Sequence, residues 1–175
     1  PTRGRPDVLP TGRNFYSIDT RAVPTQTSWT LGLRSAERLI ERYVQEHGDY
    51  PRAIGLSVWG TATMRTGGDD IAQAFALMGV RPTWADGSHR VSDFEILPMS
   101  LFDRPRIDVT LRVSGFFRDA FANVIRLFDA AVQAVAGLDE PEEVNPIRAR
   151  IAREAATLTA EGLDADRARR QAGHR

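Results

Sequence analysis

The chain has 175 residues, 42% of them hydrophobic and 26% charged, a composition typical of globular proteins with enough apolar residues to build a core. Its formal net charge is zero, so it lacks the basic surplus of proteins that bind nucleic acid or anionic membranes. Cysteine is absent and all 23 basic residues are arginine. Without lysine, these residues cannot form a Walker-type phosphate loop or a Schiff base. No apolar stretch approaches the length of about 18 residues that predicts a membrane span.

Residues 1–27 are rich in Pro, Gly, Thr and Arg without sustained periodicity, which indicates an extended arm. The chain starts at Pro1 rather than Met, and we interpret it as a fragment of a longer protein. From Trp29 onward, apolar residues recur at intervals of three and four. This spacing predicts a helix that Ser28 caps and that ends at Gly48.

The middle of the chain alternates strand and helix patterns. Four strands are predicted, at "AIGLSVW", "RPTWA", "RVSDFEIL" and "RIDVTLRVSG". Helices are predicted over 67–78 and 116–136, and Asp86-Gly87 is typical of a hairpin turn. This order predicts an α/β fold over 28–140: a Rossmann-like, mainly parallel sheet of about four strands with helices on its faces.

Residues 141–175 differ in character and are predicted to form a C-terminal helical extension. Asn145-Pro146 is typical of a helix start, and helices are predicted over 146–160 and 164–172. Because this tail has few large apolar residues, we expect it to dock on a surface outside the chain.

Two loops each leave a predicted strand and enter a predicted helix: "GTATMRTGGDD" and "SGFFRD". Ligands of open α/β sheets bind outside the carboxyl ends of the strands. If the two strands are parallel, both loops open on one edge, and we expect Arg65, Asp70 and Arg118 to face a crevice there. An arginine in the first turn of a helix opposes the helix dipole unless it is paired or binds an anion, which applies to Arg118.

Architectural roles compete with this interpretation. Thr66 and Asp69 fit a helix capping box, and both Asp69 and Asp70 complement the positive end of a helix dipole. The same two carboxylates could instead hold a divalent ion with water, but no histidine lies at ligand spacing from another, so we name no metal site. Four aromatic residues near strand ends are expected mostly in the core, although a flat ligand would need such surfaces: Trp59, Trp84, Phe116 and Phe117.

Four long motifs occur in order along nearly the whole chain: "LPTGRNFYSIDTRAVPT", "YPRAIGLSVWGTATMRTGGDDIAQAFALMGVRP", "RPRIDVTLRVSGFFRDAF" and "LDEPEEVNP". With these motifs the chain resembles the large tetrapyrrole-binding subunit of the class I chelatases. That family includes the cobaltochelatase large subunit of the CobN type and the magnesium chelatase H subunit. "TGRNFYSID" and "MRTGGDDIAQ" are closer to the cobalt branch, and the metal assignment rests on this resemblance alone.

The resemblance implies a cytoplasmic complex that inserts Co²⁺ into hydrogenobyrinate a,c-diamide in aerobic cobalamin biosynthesis. The rest of the large subunit and separate AAA+ motor subunits would be its partners, and the motor would bind and hydrolyse ATP. We expect this segment to bind no cofactor by itself. Arginine side chains could pair with carboxylates of the macrocycle. Asn14, Tyr16 and Asp19 would either contact substrate or lock the arm onto the sheet.

Three alternatives stay open at this stage. The chain could belong to an H-type subunit that acts on Mg²⁺ and protoporphyrin IX. It could be a scaffold or docking module of the chelatase without chemistry of its own. An unrelated nucleotide-binding domain is disfavoured because no phosphate loop is present.

Overall fold

The computed structural model describes residues 18–173, which fold into an α/β arrangement of helices and short strands. The strands are β1 (Ala53–Val58), β2 (Val80–Trp84), β3 (Val91–Ile96) and β4 (Asp108–Val113). The helices are α1 (Gln26–His47), α2 (Gly60–Thr66), α3 (Asp69–Met78), α4 (Gly115–Ala120), α5 (Ala122–Ala136), α6 (Pro146–Ala160) and α7 (Ala165–Gly173). Short 3-10 helices occupy Thr20–Ala22 and Met99–Leu101. Among residues 18–173, no helix combines the length and apolarity that crossing a membrane requires.

The four predicted strands are present, but they form two separate sheets. β1 pairs with β4 in parallel, from Ala53 opposite Asp108 to Val58 opposite Val113. β2 and β3 form an antiparallel hairpin whose turn contains Gly87, with φ of 74°. The predicted α/β class and the parallel pairing are confirmed, whereas a single, mainly parallel sheet of four strands is wrong. A parallel connection needs about a dozen residues or more, and too few lie between β2 and β3 for anything but a hairpin.

Several helix boundaries differ from the sequence-based expectation. The segment 60–66, predicted as loop, is the short helix α2, which ends at Gly67 with φ of 77°. The predicted helix over 116–136 is divided at Phe121, whose φ of −119° and ψ of 34° separate α4 from α5. Helix α1 starts earlier than predicted because Thr25, rather than Ser28, is its N-cap and accepts a hydrogen bond from the Ser28 backbone at 3.1 Å.

The parallel pair has one covered face and one bare face. The covered face carries apolar side chains of both strands: Ile54, Leu56, Val58, Val109, Leu111 and Val113. On the bare face, Ala53, Gly55 and Ser57 of β1 and Thr110 and Arg112 of β4 are exposed. Helix α3 packs on the apolar face, and its Phe75 ring meets the Phe128 ring of α5 edge to face with centroids 5.6 Å apart.

A buried arginine fixes the start of β4. The Arg106 side chain is 1% exposed and donates to both carboxylate oxygens of Glu140, at 2.7 and 2.8 Å. It also donates to the carbonyls of Met78, Gly79 and Leu97 at 3.0 to 3.2 Å. One guanidinium thus joins the end of α3, the end of the hairpin and the segment after α5.

The C-terminal helices pack against the rest of the described chain. The Asn145 side chain caps α6 by accepting from the Arg148 backbone at 3.1 Å, as the sequence predicted. Ile147, Ile151 and Leu158 are buried in the same core cluster as residues of α5. These helices therefore bury their large apolar residues within the chain itself, and docking of the tail on another surface stays a prediction. The division into arm, α/β domain and helical extension stays a prediction.

Candidate ligand-binding crevice

A crevice lies where β1 and β4 both end. Its volume is about 220 Å³, and its walls are the last residues of the two strands and those that follow: Ser57, Val58, Trp59, Arg112, Val113 and Ser114. Because β1 and β4 are parallel, the connection from β1 to α2 and the connection from β4 to α4 both leave from this edge, as predicted. This is the position at which α/β sheets bind ligands.

Ser114 holds the two helix starts together at the crevice. Its hydroxyl oxygen accepts from the Phe117 backbone N–H at 3.2 Å, which caps α4, and from the Gly60 backbone N–H at 3.2 Å. Glycine at position 60 permits this approach, because a Cβ there would overlap Cδ1 of Phe116 and lie 3.0 Å from the Phe117 nitrogen. The first turns of α2 and α4 are therefore fixed relative to each other.

Two large aromatic side chains are exposed beside this edge. Trp59 is 62% exposed and Phe116 is 47% exposed, although both were expected in the core. Phe117 is fully buried as expected, and half-buried Trp84 donates its indole N–H to the Pro24 carbonyl at 2.9 Å. Exposed aromatic groups next to a crevice offer flat apolar surface to a ligand.

Arg112 is the cation that lines the crevice itself. It is exposed on the bare face of β4, and within residues 18–173 no acidic side chain forms an ion pair with it. Its guanidinium is therefore available for a carboxylate or another anion. Arg112 was not among the site residues predicted from the sequence. The signal that could have found it is the alternation of apolar and polar residues in β4. This alternation places Arg112 at the strand end, on the sheet face that Leu111 and Val113 do not occupy.

The predicted residues Arg65 and Arg118 lie on the two helices that start at the crevice, but neither is among its lining residues. Arg65 is exposed near the end of α2, about 7.5 Å along the helix from Gly60 at 1.5 Å per residue. Arg118 is exposed on α4 and pairs with Asp119 at 3.0 Å. Both members of this pair are well exposed, so the pair adds little stability and leaves the guanidinium accessible.

Asp70 lies away from the crevice, in the first turn of α3 beyond α2. Its side chain is partly buried, and this burial raises the pKa of its carboxyl group above the ordinary value of 3.8. Thr66 accepts from the Gly68 and Asp69 backbone N–H groups, each at 3.2 Å. The polar run "RTGGDD" is therefore, to a large extent, a turn between two helices.

Asp19 connects the arm to the hairpin. Its carboxylate caps the 3-10 helix at Arg21 and binds the Arg21 and Arg90 guanidinium groups, each at 2.9 Å. Hydrogen bonds from Arg21 and Arg90 hold the pKa of Asp19 well below its ordinary value. These contacts fit the role of locking the arm. Asn14 and Tyr16 lie outside the described residues.

Metal ligands are not gathered anywhere in the described part of the chain. Among residues 18–173, no group of three or more His, Cys, Asp or Glu side chains could hold a metal ion. The crevice offers aromatic surface, a hydroxyl and a guanidinium, a set suited to an organic anion with a flat apolar body.

Comparison with known proteins identifies the family. The family model described as CobN/Magnesium Chelatase matches residues 1–175. The chain belongs to the CobN/magnesium chelatase family. The resemblance found in its four motifs is thereby confirmed.

Individual relatives of this family place the chain nearer to the cobalt enzymes. It is 70% identical over all 175 residues to the aerobic cobaltochelatase subunit CobN of Pseudomonas aeruginosa, of which it covers 14%. It is 46% identical over 148 residues, 82% of the chain, to the chloroplastic magnesium-chelatase subunit ChlH of Oryza sativa subsp. japonica, of which it covers 10%.

A solved structure agrees with this relationship. The catalytic subunit of cobaltochelatase from Mycobacterium tuberculosis matches with a TM-score of 0.80 and 53% identity, over 92% of this chain and 13% of that chain. The 175 residues therefore span about a seventh of the length of the curated cobaltochelatase relatives.

Proposed function

We propose that this chain is part of the tetrapyrrole-binding large subunit of an ATP-dependent aerobic cobaltochelatase. The complete enzyme inserts Co²⁺ into hydrogenobyrinate a,c-diamide during aerobic cobalamin biosynthesis in the cytoplasm. The observation that carries this proposal is the 70% identity to a cobaltochelatase subunit across the whole chain, against 46% to a magnesium-chelatase subunit over part of it.

ATP hydrolysis is proposed to take place on separate AAA+ motor subunits. The absence of lysine supports this division of labour, because these residues cannot supply the lysine of a Walker-type loop. The remainder of the large subunit is the other partner. Co²⁺ is a substrate of the reaction rather than a resident ion of this segment.

Within the segment, we propose that the crevice binds one edge of the macrocycle. Trp59 and Phe116 would lie against its apolar surface, and Arg112 would pair with a carboxylate side chain of the ring. A cavity of about 220 Å³ is smaller than the roughly 300–1,000 Å³ of sites that enclose a small-molecule ligand. A tetrapyrrole can therefore insert only an edge here, and the rest of the subunit would enclose the remainder.

The residues predicted earlier have more distant roles in this proposal. Arg65 and Arg118 would be two cations outside the crevice that attract the anionic macrocycle over a long range. Added salt would weaken this attraction. Asp70, Asn14 and Tyr16 stay predicted contacts, and Asp19 is assigned to the arm. Insertion also requires a base for the pyrrolic protons, which none of these residues is assigned to be.

The test is a reconstituted reaction with the full-length large subunit and its motor subunits. Insertion of Co²⁺ into hydrogenobyrinate a,c-diamide, with no insertion of Mg²⁺ into protoporphyrin IX, is the expected result. The reverse selectivity would establish the H-type alternative and refute the cobalt assignment.

Single alanine variants of Arg65, Asp70 and Arg118 then separate binding from insertion in the same enzyme. Tetrapyrrole affinity and cobalt insertion are measured for each variant. We expect weaker binding for the two arginine variants. Unchanged binding and insertion, in these variants and in Arg112→Gln, would instead support the scaffold or docking alternative.

A further inference from the structure

The outer edge of β4 is open, and its hydrogen-bonding groups are identified by the pairing register. Asp108 donates its backbone N–H to the Arg52 carbonyl and Ser114 donates to the Val58 carbonyl, each at 3.0 Å. Backbone N–H groups alternate sides along a strand, so even-numbered residues of β4 bond to β1. The N–H and C=O groups of Val109, Leu111 and Val113 therefore point away from β1, and within residues 18–173 nothing is bonded to them.

An apolar groove runs along this open edge. It has a volume of about 240 Å³ and lies between β4, α5, Arg150 and Gly173. Its apolar walls come from both elements: Val109, Leu111 and Val113 of β4, and Ile125, Phe128 and Val132 of α5. Asp129 and Arg150 supply charges at the groove. A row of unbonded backbone groups beside an apolar groove is the geometry in which an added strand is bound.

The edge lacks two common devices against pairing, a proline and a bulge. Native edge strands often carry one or the other. The hairpin shows such features, because β2 contains Pro82 and a register irregularity between Thr83 and Trp84. β4 pairs with β1 in unbroken register and contains no proline.

The topology indicates where the next strand lies. The connection from β1 through α3 to β4 is a parallel crossover, and such crossovers are right-handed in about 98% of cases. Helix α5 contacts α3 through the Phe128 and Phe75 rings and lines the groove beside the open edge of β4. A further crossover of the same hand through α5 would add its strand next to β4.

We infer that the outer edge of β4 binds a parallel strand from a part of the large subunit outside these 175 residues, with apolar residues at every second position facing the groove. The relatives supply ample chain for this, because the 175 residues cover 14% of the Pseudomonas aeruginosa subunit. The inference rests on the proposed place of this chain within a large subunit and not on tetrapyrrole binding.

Hydrogen exchange of the full-length large subunit at single-residue level tests the inference. With a strand added, the amides of Val109, Leu111 and Val113 exchange within about tenfold of the β1-bonded amides of Thr110 and Arg112. Exchange at least about a hundredfold faster at the three outward amides would overturn the inference. Normal tetrapyrrole affinity together with fast exchange would contradict the added strand but not the proposed function. Weak tetrapyrrole affinity together with slow exchange would contradict the proposed function but not the added strand.

Proline substitution in the full-length subunit provides a second measurement. Leu111→Pro removes an outward N–H, Leu111→Ala controls for the lost side chain, and Thr110→Pro removes a bond to β1. If a strand is added, the amides of residues 108–113 should exchange clearly faster in Leu111→Pro than in Leu111→Ala. Equal effects of the two Leu111 variants would show that the edge is free and would contradict the inference.

Discussion

Replacing Arg106 by methionine should loosen the structure locally by a large amount. The arginine makes five hydrogen bonds, two to Glu140 and three to backbone carbonyls, while its side chain is 1% exposed. Methionine fills similar space but leaves a partly buried carboxylate and three carbonyls without this donor. Breaking a buried ion pair from one side costs about 3–5 kcal/mol. That is a substantial part of the ~5–15 kcal/mol that stabilises a typical domain.

The assay is hydrogen exchange in the full-length subunit, read in the segments around Met78, Leu97 and Arg106. A loss of about 3–5 kcal/mol in local opening free energy corresponds to exchange faster by roughly two to four orders of magnitude. Arg42→Met is the matched control, because the Arg42 side chain is 80% exposed and pairs with Glu46 on its own helix. A change below about 1 kcal/mol for Arg106→Met would refute the view that this network holds the three segments together.

A double-mutant cycle with Glu140 separates the ion pair from the carbonyl bonds. Glu140→Gln leaves the buried guanidinium with its three carbonyl acceptors, and the double variant removes both charges. The double variant should be less destabilised than the sum of the single variants, by about 0.5–3 kcal/mol. Strict additivity would mean that the two groups do not act as one unit.

Two further predictions concern the crevice and the arm. Gly60→Ala should weaken tetrapyrrole binding in an equilibrium titration, because its Cβ overlaps Phe116, whereas Gly55→Ala, with open space around its Cβ, should bind normally. Equal affinities of the two variants would contradict this prediction and show that the first turns of α2 and α4 accommodate the added Cβ. The pKa of Asp19 is lower in the folded state than in the unfolded state, so its contribution to stability is present above about pH 4 and is lost as the pH falls further. Asp19→Asn should flatten the pH dependence of arm opening below pH 4, measured by exchange at residues 20–25, and an unchanged profile would contradict this role.

Local patterns were sufficient to predict much of the fold. Gly48, Gly79 and Asn145 end or start helices where the sequence indicated, and apolar alternation located β4. Helix α2 was missed because its seven residues show no helical periodicity and follow a strand directly. The break at Phe121 was missed because neither proline nor glycine marks it.

Long-range features could not be predicted from local patterns. The contact between Arg106 and Glu140 joins residues 34 positions apart, and no spacing rule connects them. Packing of the C-terminal helices depends on small residues such as Ala149, Ala168 and Ala172, which are buried despite low individual hydrophobicity. Composition alone therefore led to too low an expectation of how many residues of this tail are buried.

The crevice was predicted in position but not in composition. Parallel pairing of β1 and β4 brings the two strand ends together, as the sequence indicated. Of its lining residues, Trp59 was expected in the core and Arg112 was not predicted, because exposure at a strand end depends on which sheet face is covered. Asp70 was expected at the crevice because the helix α2, which separates them, was interpreted as loop.

Equilibrium titration of the full-length subunit with hydrogenobyrinate a,c-diamide tests the central claim most directly. Arg112→Gln removes a charge-assisted hydrogen bond worth about 1.5–3 kcal/mol, so its Kd should rise by roughly 10- to 150-fold. Arg42→Gln, an exposed arginine on α1, should bind like the unaltered subunit. Equal affinities for all three proteins would show that the crevice at the ends of β1 and β4 does not bind the tetrapyrrole.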